Sequence, residues 1–197
     1  MNLIHRLHLS ILALTLAFAA PLLGQVGSRE MAELVASSVF MTVTGDKQGL
    51  IRGEVTQARH ENQHCLLAYS HEIVSPRDPA TGQATGKRQH QPFRIVKVLN
   101  QGSPPLMTAM TTGESLSSVV IDIWTPSTTT GVEVKLLSYT LTNARIVSLR
   151  PWMPNRSDAS ALTYPPAEEI AFTYQTIKVT YWNGGIESVD DWNGSAP

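Results

Sequence analysis

Beyond about residue 38, apolar and polar positions along this chain alternate with a period of two. That is the pattern of a half-buried β-strand, because successive side chains of an extended backbone point to opposite faces. In the segment from Ser38 to Thr44, Val39, Met41 and Val43 share one face; Gly45 to Gly49 reads as a turn, and Leu50 to Val55 as a second extended piece. From Cys65 to Ile73 the alternate residues Cys65, Leu67, Tyr69, His71 and Ile73 form one row, and Phe93 to Leu99 is short and apolar on both faces. Val119 to Trp124 and Val132 to Leu149 are rich in Val, Ile and Leu with polar alternates. Ile170 to Trp182 repeats the pattern, but its inward row changes parity between Phe172/Tyr174 and Ile177/Val179. An inserted residue near Thr176, a β-bulge, restores the inward face.

One segment has helical spacing. Leu106, Ala109 and Met110 recur at helix period between Pro104 and Thr112. Ser103 precedes a proline, as an N-cap precedes a proline-started helix, and Gly113 follows as a stop. This predicts one short helix covering an open end of the sheet structure. Two long connections stand out: Ser75 to Gln91, full of Pro, Gly, Thr and charge, and Pro151 to Pro166, bounded by prolines. Connections this long are uncommon in a compact domain unless they carry function. The tail from Asp190 is polar, and fraying is expected beyond Trp192. The class is mainly β: an antiparallel β-barrel of two sheets with one short α-helix.

The first residues are different in kind. Arg6 lies in a short leader, Leu9 to Ala20 is almost wholly apolar, and Ala17-Phe18-Ala19 offers small residues for cleavage. This is the layout of a secretory signal peptide, too short for a membrane span. A second reading places the native start at Met31, with the preceding residues a misassigned leader. The expected organisation is residues 1–28 as signal peptide or misassigned leader and 29–197 as a single domain. At 197 residues, 42% hydrophobic and 16% charged, the chain has material for one core and too little charge for disorder. A net charge of -1 without a basic cluster argues against nucleic acid, and no other stretch suggests a membrane partner. The one cysteine, Cys65, forms no intrachain disulfide and reads as a small buried hydrophobe.

Five blocks, in order, carry a family resemblance. Phe40-Met41-Thr42-Val43 with Gly45, Gln48-Gly49 and Ile51 is similar to the opening strands of the Hcp family, the haemolysin-coregulated tube proteins of type VI secretion systems. Ser75 to Lys97 (SPRDPATGQATGKRQHQPFRIVK) closely resembles that family's long loop and following strand. Ser103-Pro104 with Leu106, Ala109 and Gly113-Glu114 resembles its helix and exit, and Tyr139 to Ile146 its central strand. Glu168 to Tyr174, Ile177, Gly184-Gly185 and Asp190-Asp191-Trp192 resemble its closing strand and tail. The resemblance implies a barrel subunit that forms homohexameric rings. These stack into the inner tube of a contractile machine, with sheath and spike proteins as partners and small effectors chaperoned in the lumen. It implies secretion through that machine from the cytoplasm. A genuine signal peptide implies instead the periplasm, and an exported ring-forming binding protein outside the machine.

A closed ring of identical subunits needs head-to-tail contacts, which strand edges and a projecting arm can supply. The arm from Ser75 to Gln91 has no aliphatic residue larger than Ala, so it cannot form a core of its own. Its Arg77, Asp78, Lys87, Arg88 and His90 suit a reversible, charge-satisfied subunit interface, and Gly82 and Gly86 allow tight turning.

Catalytic signals are weak by comparison. His60-Glu61-Asn62-Gln63-His64 matches the H-E-x-x-H zinc pattern. That chemistry needs both histidines on one helix face, whereas Gln57 to Asn62 reads as a polar turn before a strand. His71 and His90 read as surface or interface groups, Asp190-Asp191 as a solvated tail, and Trp152, Trp182 and Trp192 as packing or subunit-contact anchors. The expectation is no catalytic, metal or cofactor site and no enzyme, with a secreted hydrolase as the weakest alternative.

Overall fold

A computed structural model describes residues 38–127, 129–157 and 164–192. Both leader readings, and the frayed tail after Trp192, lie outside those residues. The described chain runs through β1 (Ser38–Gly45), β2 (Gly49–Ile51), β3 (His64–Ser70), β4 (Ile73–Val74), β5 (Gln89–His90) and β6 (Phe93–Val98). It continues through α1 (Ser103–Thr111), β7 (Leu116–Pro126), β8 (Glu133–Trp152), β9 (Ala167–Thr173), β10 (Thr176–Tyr181) and β11 (Ile186–Asp191).

The strands β8-β7-β1-β3-β6-β9 follow one another, every pair antiparallel, and β9 returns to β8 to close a barrel. β2 is an appendage on β1, and the hairpin of β10 and β11 extends from β8 outside the barrel. β8 makes closure possible. Its first part lies between β7 and β10, and from Arg145 onward it pairs with β9 instead. The change of partner falls at Asn143, whose φ of 50° lies in the left-handed region that asparagine tolerates. Opposite it, Tyr174 and Gln175 separate β9 from β10. The expected parity change is therefore real, but it is a break between two strands rather than a bulge within one.

The inward faces match the alternation on β1, where Met41 and Val43 are buried, and on β7 and β8, where Val119, Ile121, Leu141 and Ala144 are buried. β3 corrects the expectation. His64 and Leu66 point inward, and Leu67, 54% exposed, sits in a bulge that returns Tyr69 to stack on Phe93. Two adjacent leucines gave no basis for choosing which faced the core. α1 inserts Leu106 and Ala109 into the core, and Gly113 ends it with φ 64°. Its N-cap is Gly102, not Ser103. The Ser103 hydroxyl accepts the Asn100 N–H (3.1 Å) and donates to Glu168 (2.7 Å).

That serine belongs to a polar cluster beneath the helix. Lys97 continues the inward row of Phe93 and Ile95, and its ammonium is sealed inside with the Glu168 carboxylate 2.8 Å away, both side chains about 1% exposed or less. Lys97 also donates to the Val98 carbonyl (3.0 Å) and Asn100 Oδ1 (2.9 Å). A buried pair of this kind contributes little beyond an apolar substitute, but losing one partner strands a charge in a low dielectric. Lys97→Met or Glu168→Leu alone should each destabilise the body by about 3–5 kcal/mol, and the double variant by much less than the sum, read by urea unfolding.

Candidate assembly arm and its anchorage

The segment after β4 is an ordered hairpin. Ile73 pairs with His90 and Val74 with Gln89, and an isolated bridge joins Arg77 to Ala84. Asp78 builds the tip. Its carboxylate accepts the Ala80 and Thr81 N–H groups (3.0 and 2.7 Å) and the Thr81 hydroxyl (2.9 Å). Those bonds, the Thr81 N–H first, hold its carboxyl below the usual carboxylate range. Gly82, with φ 71°, closes the turn, and Arg77 donates to its carbonyl at 3.0 Å. Arg77 and Lys87 are exposed on this hairpin. A Pro-, Gly- and Thr-rich stretch of this composition forms turns locally, and Asp78 supplies the side-chain acceptor that such turns use.

At its root the arm is fastened to its own subunit. Arg88 makes a two-pronged ion pair with Asp190 of β11, and its guanidinium also donates to the Asp191 carbonyl at 3.2 Å. His90 Nε2 meets the same Asp190 carboxylate at 2.9 Å, its Nδ1 lies 2.8 Å from the Tyr174 hydroxyl, and that hydroxyl lies 2.6 Å from His71 Nε2. The Trp192 indole lies against His90 with ring centroids 5.6 Å apart. His90 is only 5% exposed, so it is not the surface group its loop position suggests, and Asp190 is a paired anchor rather than part of a solvated tail. The Arg88 hydrogen bonds foremost, then His90, hold the Asp190 carboxyl below its ordinary range. Burial foremost, and the Asp190 charge after it, push the Tyr174 phenol up; burial and then His90 push His71 down. Of the five arm residues singled out, Arg88 and His90 are thus committed within the chain, and Arg77, Asp78 and Lys87 form the outer part. Nothing local marks Asp190 as their partner, since it lies 102 residues from Arg88.

The zinc-like string is a packing element. His60 stacks on Phe40 with centroids 4.1 Å apart and meets Trp124 edge-on at 4.8 Å, while its nitrogens contact Gln63 and Glu133, both at 2.9 Å. His64 begins β3 and points the other way, 3.1 Å from the Ile51 carbonyl. The two histidines share no helix, and among the described residues no three His, Cys, Asp or Glu side chains converge on a metal position. Trp152, Trp182 and Trp192 are 38%, 52% and 49% exposed, and Trp182 donates to the Ser138 hydroxyl at 2.7 Å. Cys65 is half-buried and unpaired.

A closed antiparallel barrel, a short helix plugged into it and a polar hairpin before the third barrel strand make a distinctive combination. Residues 40–181 match the family described as type VI secretion system effector, Hcp. The chain belongs to the Hcp family. It is 35% identical over 167 residues to the major exported protein of Pseudomonas aeruginosa strain PAO1, covering 80% of this chain and 96% of that protein. A solved Hcp protein superposes with a TM-score of 0.75 at 26% identity, covering 81% of this chain and all of the other. A double mutant of Hcp1 from the E. coli EAEC 042 pathovar superposes at 0.70 with 29% identity, covering 79% and 98%. Membership makes this a secreted protein of the type VI system, in a structural rather than an enzymatic family.

His64 has a consequence for acid stability. Its Nε2 must carry the hydrogen given to the Ile51 carbonyl, so Nδ1 is a bare acceptor, buried and without a partner. Burial foremost, and the neighbouring Lys97 charge, lower its pKa from 6.5 to about 4. The unfolded chain therefore binds a proton that the folded chain refuses. Stability is full above pH 6.5 and should decline by roughly 3 kcal/mol as pH falls toward about 4. A His64→Gln variant should lose that pH slope in urea titrations.

Proposed function

We propose that this chain is a subunit of the type VI inner tube, forming stacked hexameric rings whose lumen carries and chaperones small effectors. Sheath and spike proteins are then its partners, and its role is structural, without catalysis. Family membership supports the reading. The observation that carries it is the arm: a hydrogen-bonded polar hairpin, anchored at its root, with Arg77 and Lys87 exposed on its outer part. A hairpin that buries no core of its own and is nevertheless ordered suits docking onto a neighbouring subunit or the next ring.

Electron microscopy of purified protein lacking residues 1–28 should show ring-shaped particles. A strictly monomeric protein at high concentration overturns the reading. Deleting residues 80–86 should leave the barrel folded and abolish stacking, and unchanged stacking removes the arm from the interface.

The leader pattern supports a second reading, an Hcp-like ring-forming binding protein exported outside the machine. Sequencing the N-terminus of protein from cells separates the two: a start at Met31 favours the tube, and a start near Ala20 or Gln25 favours export.

A further inference from the structure

The root of the arm contains more proton-binding sites than its hydrogen bonds can satisfy at once. Tyr174 has one hydroxyl proton and stands between two imidazole nitrogens, His71 Nε2 at 2.6 Å and His90 Nδ1 at 2.8 Å. On its far side, His90 Nε2 faces the Asp190 carboxylate, which only accepts, so Nε2 carries a hydrogen. With both imidazoles neutral the chain of donors closes: His71 donates to Tyr174, Tyr174 to His90, and His90 to Asp190. Adding one proton to His90 reverses the middle of the chain. His90 then donates to Tyr174, and Tyr174 donates to His71 once the His71 hydrogen has passed from Nε2 to Nδ1. A second proton, on His71, has no such solution. Both imidazoles then point N–H groups at the hydroxyl, its own proton loses its partner, and two cations face each other with ring centroids 6.1 Å apart.

We propose that this cluster is an acid-released clasp: it accommodates one added proton, and the second frees the root of the arm from Tyr174 and β11. His71 lies two residues before β4, and His90 lies in β5, so each side of the hairpin root carries one member. The surrounding charges do not rescue the doubly protonated state. Arg88 already shares Asp190, the Asp191 carboxylate accepts the Thr176 hydroxyl at 3.3 Å, and Arg145 adds a further cation to the cleft that Tyr174 lines. Tyr69 and Tyr139, whose rings also pack on Phe93, carry no charge in acid. Water solvates both imidazolium ions once the hairpin swings away, so the open arm binds more protons than the closed one and acid favours it. The clasp does not depend on what the arm touches; the tube reading only makes its opening a means of loosening ring contacts.

Amide exchange on the full body, expressed as protection relative to the free peptide rate, tests this. The Gln91 N–H, bonded to the Glu72 carbonyl at 2.9 Å, reports the root, and the same amide in a His71→Gln variant, which keeps the His64 response, serves as reference. In the wild type, Gln91 protection should fall by up to roughly tenfold per pH unit for each proton taken up as pH drops below about 6.5. The His71→Gln variant keeps a donor for Tyr174 but takes no proton there, and its Gln91 protection should fall only with the His64 response. Wild-type protection that does not change, or the same fall in His71→Gln, overturns the proposal. Independently, NMR titration of the wild type should show the His71 imidazole taking its proton below the ordinary histidine range; an ordinary His71 titration overturns the proposal as well. Ring formation at neutral pH is scored separately by microscopy, so failure of the clasp and failure of the tube reading give different results.

Discussion

β8 is hydrogen-bonded to β7 and β10 together along its first part and to β9 along its second, and the barrel exists because one strand of 20 residues can serve both of its halves. A continuous strand cannot change partners without a bend. Asn143 supplies it with a left-handed backbone, and the opposite strand breaks at Tyr174 and Gln175 to follow. The same corner therefore does two things. It closes the barrel through β9, and it sends β10 and β11 outside, where Asp190 stands ready to receive Arg88 and His90. Closure and arm anchorage are consequences of one local geometry.

Beneath α1 the core tolerates a fully buried ammonium and carboxylate because each is bonded by several polar neighbours. The cluster specifies how the helix sits as well as holding it. Gly102 has no room for a side chain: a Cβ there would lie 2.3 Å from His64 and 2.9 Å from the Arg52 carbonyl. Glu114 does the same for the turn between β1 and β2. It accepts the Lys47 and Gln48 N–H groups at 2.8 and 2.9 Å and sits where a Cβ on Gly45 would intrude. One buried carboxylate thus ties the start of the helix to β6 and β9, and another ties the segment after its end to the β1–β2 turn.

Much of this was legible beforehand, and the exceptions share a cause. Alternation located β1, β7 and β8, and proline with glycine bounded the helix, because those signals are local. The inward row Phe93, Ile95, Lys97 was also present in the sequence, yet a lysine does not announce burial when its partner Glu168 lies in another strand. The β3 bulge was hidden by adjacent leucines. The pairing of His90 with Asp190 spans 100 residues and rests on a hydroxyl from a third segment, so no spacing rule reaches it. Long-range polar contacts are set by tertiary geometry, and in this fold they decide which arm charges remain free.

β11 has one further consequence. As the outermost strand it could act as a template for cross-β growth when many copies are crowded together. Yet it is only six residues long, follows the turn of Gly184 and Gly185, and carries Glu187, Asp190 and Asp191 among its exposed Ile186 and Val189. Short length and negative charge make it a poor seed for fibrils. The acids that fasten a hairpin and pair with a neighbouring lysine thereby also guard the exposed edge against amyloid-like runaway.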